Sequence, residues 1–184
     1  LHKALQQAVA IGYLRFNPAD ACSLPRVERQ ELKPLDEASI GQFIAAVRGH
    51  PYEAVFLVTL FTGLRQGEVL GLTWECVDFA AGTVISKQLQ KMRTGDRGYY
   101  LASTKSGKSR KLTPAPSVMK LLRHQQAVQA EWRLRAGAAW QDSGLVFTNK
   151  LGGHLMPHTV YQNYKKVVSS IGRPDARFHD LRHS

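Results

Sequence analysis

Residues 52–61, YEAVFLVTLF, are apolar nearly all round, and no other stretch limits the fold as much. A helix with one apolar stripe can lie on a surface, but one that is apolar on every side must be enclosed by other elements. The flanking sequence supplies candidates. Asp36 is placed to cap a helix with Glu37 in its first turn, and Ile40, Phe43, Ile44 and Val47 follow at i, i+3, i+4 and i+7. Residues 117–135 read as a long helix ended at Gly137. Pro157 suits a first helical turn, and Val160, Tyr164, Val167, Val168 and Ile171 form the apolar stripe of the helix behind it, which Gly172 and Pro174 close.

The pattern changes between Asp78 and Thr113. Val84 and Ile85 suggest a strand, Thr94-Gly95-Asp96 a loop, and Tyr99 to Ser103 a second strand. Ser106-Gly107 is a turn signal before a third strand at about 109–113. Leu145 to Phe147 reads as a short strand or buried turn. The expected fold is α+β, mainly α: a helical domain over 35–184 with a small three-stranded antiparallel sheet. Ahead of it, residues 1–16 carry Ala4, Leu5, Ala8, Val9 and Gly12 at helical spacing, stopped by Asn17-Pro18. Residues 19–34 mix Pro25, Pro34 and charges without periodicity. The expected division is a last helix of an N-terminal domain at 1–18, a linker at 19–34 and the main domain at 35–184. Because the first residue is Leu1 and the last six read as an unfinished helix, both ends are expected to be cuts from a longer protein.

Charge narrows the function. Twenty-five Lys and Arg against fourteen Asp and Glu give +11. Such an excess points to a polyanionic partner, with a solvated basic surface as the plainer alternative. No apolar run approaches the ~20 residues of a membrane span, so no membrane partner is expected. Cys22 and Cys76 have no metal-ligand spacing and fit a reduced, intracellular setting. His154 and His158 are four apart, but Pro157 lies between them without an acidic or cysteine ligand nearby, so no zinc site is expected.

Some cations stand where chemistry could use them. Arg65 directly follows the buried helix and a Thr-Gly-Leu turn, with Glu68 three residues on as an orienting partner. It is either a local ion pair or an arginine held to grip phosphate, whose oxygens match the guanidinium fork. His179 and Arg182, at i and i+3, would face one side of a helix. Lys105 sits at the mouth of the turn after Tyr99–Thr104, where Lys108, Arg110 and Lys111 compete for the same role. Lys87, Lys108, Arg110 and Lys111 are the further candidates for contacting DNA.

These stretches together resemble a known family. LFTGLRQGEVLGLTWECVDF is similar to the first box of tyrosine recombinases of the lambda-type phage integrase kind, and RFHDLRHS to the start of their second box, His-x-x-Arg. STKSGKSRKLTP resembles the hairpin carrying the family's lysine, and GYLRFNPAD the exit from its core-binding domain. The resemblance implies the DNA breaking-rejoining fold, incomplete at the C-terminus, and phosphoryl transfer without metal, nucleotide or other cofactor. A tyrosine attacks a DNA phosphodiester and leaves a 3′-phosphotyrosine and a free 5′-hydroxyl. Arg65 and Arg182 would stabilise charge on the nonbridging oxygens, Lys105 would protonate the leaving oxygen, His179 would bond the phosphate or move a proton, and Glu68 would orient Arg65. The family's next pocket position (His or Trp) and its tyrosine lie downstream of the second box. All six tyrosines here precede His179, so these residues are expected to hold a pocket without its nucleophile. The implied setting is a bacterial cytoplasm, on double-stranded DNA, with a homotetramer for the full-length protein. A type IB topoisomerase-like enzyme, an inactive DNA-binding module and a basic interaction domain are the alternatives.

Overall fold

A computed structural model describes residues 1–23, 34–85, 91–95, 98–102 and 111–182; for 85, 91–95 and 98–102 it describes the backbone alone. The chain divides into two compact units, Leu1–Leu32 and Lys33–Ser184.

In the first unit, helix α1 covers His2–Ala10. It is shorter than the expected 1–16, because the N–H groups of Gly12 and Tyr13 turn back to the carbonyls of Val9 and Ala8, at 3.0 and 2.8 Å, and close it. Asn17 therefore opens a turn instead of ending a helix. Its side chain accepts from the Ala19 N–H at 3.0 Å at the head of a 3-10 turn, Pro18–Ala21, and donates to Gln6 Oε1 at 3.1 Å.

The second unit contains α2 (Glu37–Val47), α3 (Glu53–Thr62), α4 (Gln66–Leu70), β1 (Val77–Asp78), β2 (Thr83–Ile85), β3 (Lys91–Gly95), β4 (Gly98–Ala102), β5 (Lys111–Leu112), α5 (Pro116–Ala136) and α6 (Pro157–Ser170). A 3-10 turn, Phe178–Arg182, follows. Asp36 caps α2 as expected, accepting from the Ser39 N–H at 2.8 Å, and its bonds to Ser39 hold the carboxyl below its ordinary range. The helix expected to be enclosed is so over most of its surface: α3 buries Val55, Phe56, Val58, Thr59 and Leu60 and packs against α2, α4, α5 and the 3-10 turn, while Phe61 near its end stays 50% exposed. Its buried Thr59 hydroxyl donates to the Val55 carbonyl at 2.7 Å, so no polar group is stranded there.

The sheet has three antiparallel strands in the order β1-β2-β5, with Val77 opposite Val84 and Val84 opposite Leu112. Its membership differs from expectation. The strand at Tyr99 is not in it; β4 pairs instead with β3 in a separate hairpin, and β1 supplies the third strand. Thr94 and Gly95 extend β3 where a loop was expected, so β4 has a partner a few residues away, and a short connection costs little entropy to close. The helix expected after the Thr-Gly-Leu-Arg turn is the five-residue α4, which gives way to a 3-10 turn at Trp74–Cys76. Leu145–Phe147 form a buried turn tied to Thr73 by one bridge. Close packing holds this region: a Cβ on Gly152 would stand 2.7 Å from the Trp140 ring. Among the described residues, no helix is long and apolar enough to cross a membrane.

Candidate active site

Helix α3 ends at Gly63, whose φ of 64° lies in the left-handed region that glycine adopts without steric cost. The chain turns there, and Arg65 emerges as the residue heading α4. Glu68 fixes it twice. One carboxylate oxygen accepts the Arg65 backbone N–H at 3.0 Å, and the other accepts its guanidinium at 2.9 Å. The acid also satisfies an N–H at the start of a helix, where negative charge is favoured. The Glu68 side chain is 9% exposed and that of Arg65 is 55% exposed, so a shielded carboxylate holds a guanidinium that faces solvent. Gln66, beside it, ties α4 to α6 by donating to the Pro157 carbonyl at 2.9 Å.

The second arginine arrives from the far end of the chain. A Cβ placed on Gly63 would stand 3.5 Å from Cγ of Arg182 and 3.8 Å from its carbonyl oxygen. The Thr-Gly-Leu-Arg turn and the Phe178–Arg182 turn are therefore packed together, and α3 lies against both. In a 3-10 turn residues three apart eclipse, so three faces alternate. Phe178 and Leu181 are buried, Arg177 and Asp180 pair with each other, and exposed His179 shares a face with partly exposed Arg182.

The support beneath this turn is aromatic. Tyr164 and Phe178 meet edge to face at 5.2 Å between centroids, and Phe56 stands 6.0 Å from Tyr164 and 6.2 Å from Phe178. Each such pair adds roughly 0.5–1.5 kcal/mol beyond its buried area. The Tyr164 hydroxyl donates to the Arg177 carbonyl at 3.0 Å, and burial, reinforced by the Asp180 charge, pushes it well above tyrosine's ordinary range. Tyr164 is fully buried, which closes it to an incoming phosphate.

The structure thus brings Arg65, Glu68 and the turn bearing His179 and Arg182 to one region. Lys105, Lys108 and Arg110, and likewise Lys87, lie outside the described residues. Lys111 is exposed on β5, and both ends of the connection that carries Lys105 are fixed: Ala102 pairs with Lys91, and Lys111 with Ile85. The hairpin entering that connection packs, through β3, against α4. Among the described residues no cluster of three or more His, Cys, Asp or Glu could hold a metal ion. Sequence reasoning passed over Arg177 and Asp180, and read Tyr164 only as part of the apolar stripe of α6. A signal for the first two was present, since Arg177-x-x-Asp180 repeats the spacing of Arg65-x-x-Glu68.

Residues 33–184 match the model of the phage integrase family, and the chain belongs to that family. It is 31% identical over 195 residues to a tyrosine recombinase XerC-like protein of Caldanaerobacter subterraneus subsp. tengcongensis, covering 96% of this chain and 50% of the relative. It is 27% identical to an integrase of Streptomyces ambofaciens, covering 100% of this chain and 49% of that one. The chain thus spans about half the length of these curated relatives. Its fold is that of the Tn1549 transposon integrase solved in complex with transposon right end DNA (TM-score 0.79, 22% identity, 99% of this chain and 61% of that one). A lambda integrase tetramer bound to a Holliday junction superposes with a TM-score of 0.68 at 14% identity, over 98% of this chain and 47% of that one.

Proposed function

We propose that these residues form the greater part of a catalytic domain that recombines duplex DNA by cutting and rejoining strands through a 3′-phosphotyrosine. The observation that carries this reading is the packing of Gly63 against Arg182, which joins the two arginine-bearing turns. In the proposed step a tyrosine oxygen bonds to the phosphorus and the bond to the 5′-oxygen breaks. Arg65 and Arg182 grip the nonbridging oxygens, where negative charge gathers, and each stays protonated throughout. Glu68 holds Arg65 in place beforehand, so little reorganisation accompanies the reaction. Lys105 gives its proton to the departing 5′-oxygen, and His179 donates to the phosphate or relays a proton. Lys87, Lys108, Arg110 and Lys111 meet the DNA backbone. None of the six tyrosines in the sequence follows His179; the nucleophile is a tyrosine outside these 184 residues. No metal or cofactor takes part.

In the same reading α1 ends a core-binding domain, residues 19–34 link it to the catalytic domain at 35–184, and the whole protein works as a homotetramer on DNA in the bacterial cytoplasm. The test is covalent trapping: the whole protein, incubated with its recombination site, should yield a 3′-linked DNA adduct and recombinant product. Relaxation of supercoils without strand exchange would favour a type IB topoisomerase-like activity, and binding without any adduct an inactive module.

A further inference from the structure

The geometry of Arg65 occurs a second time. Asp180 accepts the Arg177 backbone N–H at 2.7 Å, and its carboxylate bonds the Arg177 guanidinium through Nη2 at 3.1 Å and Nε at 3.4 Å. Both arginines stand at the head of a short helical turn with the acid three residues on. The exposures agree as well: the Arg177 side chain is 55% exposed over an Asp180 side chain that is 6% exposed. A guanidinium has five N–H donors, and the two bonds to Asp180 leave three of them.

The neighbouring cations show that this arrangement is selective. The Arg173 side chain is only 19% exposed and bonds Asp175 through two nitrogens and Ser39 through another. Lys165 points back to the carbonyls of Pro174 and Ala176. Both are consumed in shaping the loop that leads to Arg177. Arg177 is clamped along one edge and open along the other, and its carbonyl is pinned from beneath by Tyr164. It also opens the turn that presents His179 and Arg182. A fixed, solvent-facing fork of this kind matches two oxygens of one phosphate.

We infer that Arg177 is a further phosphate-contacting arginine, gripping the DNA backbone at a phosphate other than the one held by Arg65 and Arg182, with Asp180 as the residue that positions it. The inference rests on the DNA-binding reading above and goes beyond it.

The experiment is a salt titration of this chain with a labelled, mixed-sequence duplex. The unaltered chain should show a steep fall of log K with log salt. Arg177→Ala should reduce that slope by about 0.9, the value for one phosphate contact, while Arg177→Lys keeps it. If Arg177→Ala loses its cooperative melting transition, Arg177→Gln carries the same expectation, since its amide still reaches Asp180 without the charge. An unchanged slope in a folded Arg177→Ala or Arg177→Gln chain would reduce Arg177 to a cap and overturn the inference alone. Salt-independent binding by the unaltered chain would overturn both the inference and the reading beneath it.

Discussion

The hydroxyl of Tyr164, on a helix core, donates to the carbonyl of Arg177 at 3.0 Å, and through that one bond the interior fixes the height of the turn bearing His179 and Arg182. Tyr164→Phe keeps the ring contacts and leaves a carbonyl short of its donor. The expected loss is about 1–2 kcal/mol in urea denaturation. A variant as stable as the parent would show that the bond contributes nothing net.

The same hydroxyl gives a pH dependence. Its folded-state pKa is raised above the ordinary 10.0, chiefly by burial and then by Asp180. The unfolded chain ionises first, so the contribution is complete below pH 10 and is lost as pH rises from there toward the folded value. Stability measured across the alkaline range should fall less steeply in Tyr164→Phe than in the parent, because other groups titrate in both and cancel in the comparison. Parallel curves would mean that Tyr164 ionises as freely folded as unfolded.

Glu68→Ala removes the acceptor for two donors of Arg65 and the favourable charge at the head of α4. A loss of about 1–2 kcal/mol is expected, of the size usual for a helix cap plus a charge-assisted bond. Glu68→Gln keeps an acceptor and should lie between. In the whole protein, both variants should slow adduct formation more than they weaken DNA binding, since the arginine remains but is no longer held.

Arg65→Ala and Arg182→Ala should abolish the covalent adduct in the whole protein while DNA binding stays within a few-fold. Each ground-state contact contributes about 1–3 kcal/mol among many cations. At the transition state the charge on the phosphoryl oxygens makes the loss larger. Adduct formation at the parent rate in either variant would exclude that arginine from the reaction.

Gly63→Ala tests the junction of the two turns. A Cβ would meet only ordinary contact with Arg182, at 3.5 Å, so the penalty comes from the backbone, held at φ 64°. About 1–2 kcal/mol is expected, read as a lowered melting temperature. A melting temperature equal to the parent's would mean that the turn relaxes freely.

The amphipathic and enclosed helices were legible in the sequence because burial imposes a period, as at Phe43 and Val47 or at Val160 and Tyr164. Arg65 and Glu68 were legible as a pair because their partnership is local. That the turn at Gly63 rests on Arg182 depends on the tertiary path of the whole domain, and only the resemblance suggested it. Strand membership was misread for a similar reason: β4 had two possible neighbours, and local composition does not choose between them. Arg177 was not singled out in the sequence, because what distinguishes it, a buried carboxylate partner, shows only in the fold.

Arg177 and the turn from Phe178 to Arg182 behind it interleave three pairs at a spacing of three: Arg177 with Asp180, Phe178 with Leu181, His179 with Arg182. One residue inserted or deleted within it would rotate everything beyond by about 120°. A deletion would drive the guanidinium of Arg182 toward the aromatic core, whereas an insertion ahead of Asp180 would put that carboxylate there and turn Leu181 toward solvent. Substitutions here degrade one pair at a time, but a change of length scrambles all three at once. Descendants of this sequence can therefore vary the letters of this segment far more easily than its length.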